Sequence, residues 1–186
     1  MEKIRLGVIG VGSHGTGHVR NIGKGMCPEI TVTAVADIDP ARLEFFRENF
    51  PEIARFATSE ELIRSGLVDA VLIATPHYFH PPISIDAMRH GIHVMCEKPA
   101  GVYTKQVKEM NAVAEKCDVV FGMMFNQRTN CVYRKMREII QEGGIGTVDA
   151  LMGDVPPSGR LADTIAEKLS DYPCADCFGD GEENVH

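Results

Sequence analysis

Short apolar runs alternate with longer amphipathic segments from residue 3 to about residue 123. Several of the runs are rich in Val and Ile and are apolar on both faces, as expected for strands that helices cover on each side. This alternation predicts an α/β fold, a doubly wound and mostly parallel, Rossmann-like sheet in a single domain. The predicted strands are Ile4–Ile9, Ile30–Ala36, Ala70–Ala74, His93–Cys96 and Val119–Gly122.

Capping residues place helices between these runs. Asp39 followed by Pro40 is typical of an N-cap and a first helical position, and residues 58–61, Thr-Ser-Glu-Glu, form a capping box. Further helices are predicted after the third, fourth and fifth strands, the last of them ended by Gly143-Gly144. They cover Ile83–His90, Lys105–Lys116 and Asn130–Gln141, and Thr147–Met152 could start another strand.

The pattern degrades after Met152. A Gly- and Pro-rich turn and one amphipathic stretch, residues 161–169, lead into an acidic end, and residues 154–186 hold eight acidic and two basic side chains. A segment with so little apolar surface cannot fold alone, so we expect residues 153–186 to be mobile or loosely docked.

Composition narrows the function classes. The formal net charge of −7 argues against a nucleic-acid partner or an anionic membrane. No apolar run approaches the ~20 residues that span a bilayer, and the N-terminus lacks the regions of a signal peptide, so a cytoplasmic location is expected. Single cysteines in or beside apolar or helical segments are expected to be reduced, buried hydrophobes. They are Cys27, Cys96, Cys117 and Cys131.

A glycine motif, Gly-Val-Gly-Ser-His-Gly, follows the first predicted strand directly and opens a helix. Gly10 allows a tight turn, Gly12 lets the backbone approach a pyrophosphate, and Gly15 permits close packing of helix on strand. Phosphates would then lie at the helix N-terminus, with Ser13 and His14 inside the loop. Such a motif alone is also compatible with an ordinary glycine-rich turn, but its position here favours a dinucleotide site.

Asp37 ends the second predicted strand, 22 residues after Gly15. A carboxylate there can accept hydrogen bonds from the adenosine ribose hydroxyls and would repel the 2′-phosphate of NADP. A helix-capping role is the alternative, although Asp39 already fills it. The pattern therefore favours NAD, while the nearby Arg42 leaves NADP open as the less favoured cofactor.

The tripeptide Glu97-Lys98-Pro99 follows a buried strand at its carboxyl end, the edge at which doubly wound sheets bind ligands. A lysine there can give a proton to a substrate hydroxyl or take one from it. The alternative interpretation is a loop ion pair between Lys98 and Glu97.

Three motifs in this order resemble the N-terminal domain of the Gfo/Idh/MocA family of oxidoreductases: the glycine motif, residues 74–80 (Ala-Thr-Pro-His-Tyr-Phe-His) and residues 97–99. The resemblance covers residues 3 to about 148. It implies hydride transfer between NAD(P) and a hydroxyl carbon of a sugar, inositol or related polyol. It also implies a catalytic role for Lys98, with Glu97 near the nicotinamide, and a candidate cis peptide at Lys98–Pro99. Residues expected to line the cofactor cleft or to reach towards cofactor or substrate are Thr75, Pro76, His80, Asn126 and Arg128.

The chain departs from that family after Met152. Family members continue into a second α/β domain that supplies an Asp and a His to work with the lysine, whereas the only later histidine here is His186. We therefore expect a cofactor-binding half, truncated or frame-disrupted and weakly active. The alternative is a non-catalytic dinucleotide-binding module, or a subunit completed by a partner chain or as a homo-oligomer. The predicted organisation is a dinucleotide-binding domain over residues 1–125, a connecting helix and the start of a truncated second domain over 126–152, and an acidic tail over 153–186.

No metal site is predicted. His77 and His80 lack a cluster of further ligands, and a cofactor-cleft or packing role suits them better. Cys174 and Cys177 have the C-x-x-C spacing of redox and zinc sites, but one pair without a second is weak evidence. The remaining histidines, His18, His90 and His93, are expected to be ordinary helix or strand-edge residues.

Overall fold

Six parallel strands form a single sheet in the computed structural model, which describes residues 3–143. The strand order is β3-β2-β1-β4-β5-β6, so the chain reverses its direction of travel across the sheet between β1 and β4. This order and the all-parallel pairing confirm the doubly wound Rossmann-like fold. The strands are β1 (Ile4–Ile9), β2 (Ile30–Ala36), β3 (Ala54–Phe56), β4 (Ala70–Ile73), β5 (His93–Glu97) and β6 (Phe121–Met124).

Helices connect the strands and begin at recognisable caps. The Asp39 side chain accepts a hydrogen bond from the Ala41 N–H at 2.9 Å, and the capping box between Thr58 and Glu61 has both of its reciprocal bonds. Both predicted helix starts are therefore confirmed. The helices are α1 (Ser13–Gly23), α2 (Pro40–Asn49), α3 (Ser59–Ile63), α4 (His80–Arg89), α5 (Thr104–Ala114) and α6 (Cys131–Gln141), with short 3₁₀ turns at His77–Phe79 and Asn126–Arg128.

Alternate strand residues build two hydrophobic clusters, one on each face of the sheet, because successive side chains of a strand point to opposite faces. In β4, Leu72 joins the cluster that α1 and α2 cover, while Val71 and Ile73 join the cluster that α3, α4 and α5 cover. The largest helix side chains are buried completely, with Phe46 on the first face and Met88 on the second. Burial on both faces explains why the strands read as continuous apolar runs.

The largest differences from the sequence prediction concern β3, β6 and α4. The short strand β3 was missed, because its three residues have Arg55 at their centre and form no apolar run. Strand β6 begins at Phe121 instead of Val119, and Val120 before it is 70% exposed. Helix α4 begins at His80 instead of Ile83, since prolines are tolerated in a first turn, where their missing N–H groups are not needed.

Contacts divide the chain into a unit of residues 1–124, which holds the sheet, and a unit of residues 125–186. The described part of the second unit contains the 3₁₀ turn and α6. Asn130 caps α6 by accepting a hydrogen bond from the Val132 N–H at 2.9 Å, and Gly143 follows the helix with a φ of 74°. The predicted strand over residues 147–152 and the acidic tail with its two cysteines lie outside the described residues.

The cysteines follow the sequence expectation only in part. Cys27, Cys96 and Cys117 are free, but only Cys96 is fully buried, and that burial raises the pKa of its thiol to about 11. Cys131 is disulfide-bonded, so the expectation of a reduced thiol at this position was wrong. It is the half-buried first residue of α6 and belongs to neither hydrophobic cluster.

Among residues 3–143, no helix has the length and apolar character needed to cross a membrane.

Candidate functional site

The turn between β1 and α1 depends on two glycines. Gly10 has a φ of 88°, and its N–H donates to the Ala36 carbonyl at 2.8 Å. A Cβ on Gly10 would lie 2.8 Å from the backbone of Ala74 and Thr75, and a Cβ on Gly15 would overlap the Gly10 carbonyl oxygen. Neither position therefore accepts a side chain. Glycine at both positions lets the first turn of α1 lie close to the end of β1 and to the chain that follows β4.

Gly12 has a different environment. It is the N-cap of α1, in an extended conformation that any residue can adopt, and a Cβ there would meet only the Arg42 guanidinium, at 3.3 Å from Nη1. Ser13 and His14 begin the helix and are exposed. The first N–H groups of a helix have no intrahelical acceptors, so the start of α1 offers donors to an anion held above Gly12.

Asp37 lies directly beside this loop, at the end of β2. Its side chain is only 4% exposed. Oδ2 accepts hydrogen bonds from the Val11 N–H at 2.8 Å and from Arg42 Nη1 at 3.1 Å, and Oδ1 accepts one from the Asp39 N–H at 2.9 Å. Asp37 therefore joins β2 to the glycine loop, while Asp39 caps α2.

The ion pair between Asp37 and Arg42 changes the charge that a phosphate near the end of β2 would meet. The Asp37 carboxylate, expected to repel the 2′-phosphate of NADP, is paired with the Arg42 guanidinium, the nearby group that left NADP open. Arg42 also lines a groove of about 440 Å³ at the starts of α1 and α2, together with Arg20. Arg20 packs over the Phe45 ring, with its guanidinium carbon 5.8 Å from the ring centroid.

His80 connects the two loops that follow β4 and β5. The ring is buried, with Nδ1 2.7 Å from the Pro99 carbonyl oxygen and Nε2 2.8 Å from the Thr75 carbonyl oxygen. Both ring nitrogens thus face carbonyl oxygens, so His80 links the two loops. Pro76, next to Thr75, is exposed at the same edge. The Thr75 Oγ1 atom is buried and has no hydrogen-bond partner among residues 3–143, which suits a group that receives a ligand.

Glu97 and Lys98 lie at the carboxyl end of β5. Glu97 Oε1 is 2.9 Å from His18 Nε2, and Glu97 Oε2 accepts the Lys98 backbone N–H at 3.2 Å. The Lys98–Pro99 peptide is cis, as the family resemblance implied. Lys98 itself is exposed, and its ammonium forms no ion pair within the part of the chain that the structure describes.

The partner of Glu97 is therefore His18 and not Lys98, so the loop ion pair considered from the sequence is absent from this loop. His18 was missed from the sequence, where it was expected to be an ordinary helix or strand-edge residue. A signal was present: His18 is three residues after Gly15 and thus shares the helix face that Gly15 holds against β1.

Asn126 and Arg128 belong to the second unit, in the 3₁₀ turn before α6. The Arg128 guanidinium carbon lies 5.0 Å from the centroid of the Phe125 ring. Their contact with cofactor or substrate stays a prediction.

Comparison with known proteins decides the family. Residues 4–125 match the GFO_IDH_MocA model, described as an oxidoreductase family with an NAD-binding Rossmann fold. The chain belongs to the Gfo/Idh/MocA oxidoreductase family. The resemblance seen in the three sequence motifs is thus confirmed.

Several of the proteins similar to this Gfo/Idh/MocA chain are inositol dehydrogenases. It is 30% identical over 155 residues to inositol 2-dehydrogenase of Corynebacterium glutamicum, covering 82% of this chain and 45% of that one. The solved structure of myo-inositol 2-dehydrogenase from Lactobacillus plantarum superposes with a TM-score of 0.74 at 28% identity, covering 79% and 43%. Scyllo-inositol dehydrogenase of Lactobacillus casei, solved with NAD(H) and scyllo-inositol, gives 0.73 at 26% identity, covering 78% and 43%. The chain therefore spans less than half the length of these relatives.

Proposed function

We propose that this chain is the cofactor-binding part of an NAD-dependent oxidoreductase. The reaction would move a hydride between the nicotinamide and a hydroxyl carbon of a sugar, inositol or similar polyol. The observation that carries the proposal is the geometry at Gly12. The Arg42 guanidinium lies 3.3 Å from where a Cβ on Gly12 would be, the N–H donors of α1 begin there, and the buried carboxylate of Asp37 lies alongside.

The strand order gives the direction in which a dinucleotide would lie. Dinucleotides bind across the carboxyl edge of such a sheet where the strand order reverses, here between β1 and β4. The pyrophosphate would lie over Gly12 and the start of α1, and the adenosine ribose beside Asp37 at the end of β2. The nicotinamide half would extend towards β4 and β5, where Glu97 lies, as does Thr75 Oγ1, which has no hydrogen-bond partner among residues 3–143.

Lys98 is the proposed proton-transfer residue. It follows β5 at the same edge, is exposed, and carries an ammonium that forms no ion pair within residues 3–143. When bound, the nicotinamide supplies the hydride acceptor or donor, and the lysine gives the substrate hydroxyl a proton or takes one from it. The substrate class is proposed from the inositol dehydrogenases among the relatives.

A non-catalytic dinucleotide-binding module, or a subunit completed by a partner chain or a second copy, is the second candidate. The favouring observation is that Lys98 has no carboxylate or imidazole partner for its side chain among the described residues. Turnover of a polyol with NAD by the chain alone would favour the enzyme, whereas cofactor binding without turnover would favour the module.

Titration of the folded chain with NADH, followed by the change in nicotinamide fluorescence, tests cofactor binding directly. We expect saturable binding to NADH and weaker binding to NADPH. ADP-ribose, which contains the adenosine and pyrophosphate without the nicotinamide, should compete. Absence of binding by a chain that circular dichroism shows to be folded would refute the proposal.

Asp37→Asn should narrow the preference for NADH over NADPH. The amide keeps an oxygen that accepts the Val11 N–H but removes the charge next to the proposed 2′ position. NADH binding should weaken about tenfold or more, because hydrogen bonds to charged groups contribute roughly 1.5–3 kcal/mol, while NADPH binding should improve.

Arg42→Ala should act in the opposite direction on the same preference. It leaves the Asp37 carboxylate without its guanidinium partner, so the uncompensated charge should repel the 2′-phosphate more strongly. Glu44→Gln is the matched control, since it makes the same charge change on a side chain of α2 that is 46% exposed and pairs with Arg47. An unchanged ratio of the two dissociation constants in both Asp37→Asn and Arg42→Ala would show that the ribose assignment is wrong.

A further inference from the structure

We propose that His18 is a positioning residue that holds the Glu97 carboxylate beside the nicotinamide subsite, so that this pair biases the domain towards oxidised over reduced cofactor. The inference rests on the proposed cofactor function and adds to it a selectivity for the charge of the nicotinamide ring.

Both oxygens of the Glu97 carboxylate have a hydrogen-bond donor. His18 Nε2 lies 2.9 Å from Oε1, and the Lys98 N–H donates to Oε2 at 3.2 Å. Because a carboxylate only accepts, the His18 contact requires the proton on Nε2. The carboxylate is thus fixed between helix α1 and the backbone of the proposed catalytic lysine.

The pair is neither a surface contact nor part of the packed core. The His18 side chain is 27% exposed and the Glu97 side chain 17%. The adjacent Val19, in contrast, is 2% exposed and provides the packing of α1 in its hydrophobic cluster. Removing the His18 imidazole therefore affects the contact with Glu97 more than it affects the packing of the hydrophobic core.

The charge selectivity follows from the position of Glu97 at the end of β5. With the pyrophosphate over the glycine loop and the adenosine on the β2 side, the nicotinamide half lies on the side of β4 and β5. The oxidised ring carries a positive charge and the reduced ring none. A nearby carboxylate with little solvent around it attracts the first and not the second.

Dissociation constants for NAD⁺, NADH and ADP-ribose, measured by calorimetry on the intact chain and its variants, test this inference. Glu97→Gln should raise the ratio of the NAD⁺ constant to the NADH constant about fivefold to tenfold, while ADP-ribose binding stays unchanged. His18→Ala should shift the ratio in the same direction by a smaller factor, because the carboxylate remains but loses its fixed position.

His18→Gln separates the hydrogen bond from mere packing. Its terminal amide can present an N–H near the place of Nε2 and should restore the wild-type ratio. His90→Ala, which removes an exposed imidazole bonded to Asp86 on α4, is the control and should leave all three constants unchanged.

The outcomes distinguish the two proposals. Binding of ADP-ribose with an unchanged ratio in Glu97→Gln would overturn this inference and leave the cofactor function standing. A His18→Gln variant that behaves like His18→Ala would remove the positioning role of His18. Failure of the folded wild-type chain to bind any of the three ligands would overturn both proposals.

Discussion

Gly15→Ala is expected to lower the free energy of unfolding by more than about 3 kcal/mol, enough to unfold much of the domain. The added Cβ would overlap the Gly10 carbonyl oxygen and lie 3.0 Å from the Gly10 carbonyl carbon. Both are backbone atoms and cannot rotate away. Gly10 cannot yield either, since it has a φ of 88° and its N–H is bonded to the Ala36 carbonyl at the end of β2.

Gly17→Ala provides the matched control in the same helix. A Cβ on Gly17 meets nothing within 4 Å, and alanine favours a helix over glycine by up to about 1 kcal/mol. Urea unfolding followed by circular dichroism should therefore show that Gly15→Ala is strongly destabilised, whereas Gly17→Ala is at least as stable as the wild type. Equal stability of the two variants would mean that α1 does not pack on the β1 turn as described.

An element was predictable from the sequence where a single local feature, such as an apolar run or a cap, determines it. Strands β1 and β2 begin and end at the predicted residues, because their apolar runs are buried on both faces. Local caps placed α2 and α3 for a similar reason, since a side chain and the helix start that it satisfies are close in sequence. Strand β3 was not predictable, because its three residues depend on pairing with β2 rather than on their own apolar character.

The polar contacts of the site divide in the same way. The glycine turn is formed by residues that are close together in the chain, so it was predictable from the residue types alone. The bond between His18 and Glu97 joins residues 79 positions apart, which meet because α1 begins and β5 ends at the same edge of the sheet. Arg42 is an intermediate case: it is five residues from Asp37, and the sequence suggested its influence on phosphate but not its pairing with the carboxylate.

Gly12→Val is expected to abolish NADH binding, raising the dissociation constant at least about a hundredfold, which corresponds to roughly 2.8 kcal/mol. The extended backbone at Gly12 accepts a branched residue, and its Cβ meets only the end of the flexible Arg42 side chain, so the fold should persist. The branched side chain would instead fill the space through which the pyrophosphate approaches the N–H groups of α1.

The control for this variant is Gly17→Val, where the same side chain enters open space one turn further along α1. It should retain NADH binding, and both variants should unfold at urea concentrations near the wild-type value. Gly12→Val should also lose ADP-ribose, whereas Glu97→Gln should keep it, because the first change obstructs the phosphates and the second alters only the charge near the ring. Wild-type NADH affinity in Gly12→Val would place the pyrophosphate elsewhere and would remove the main support for a dinucleotide at this loop.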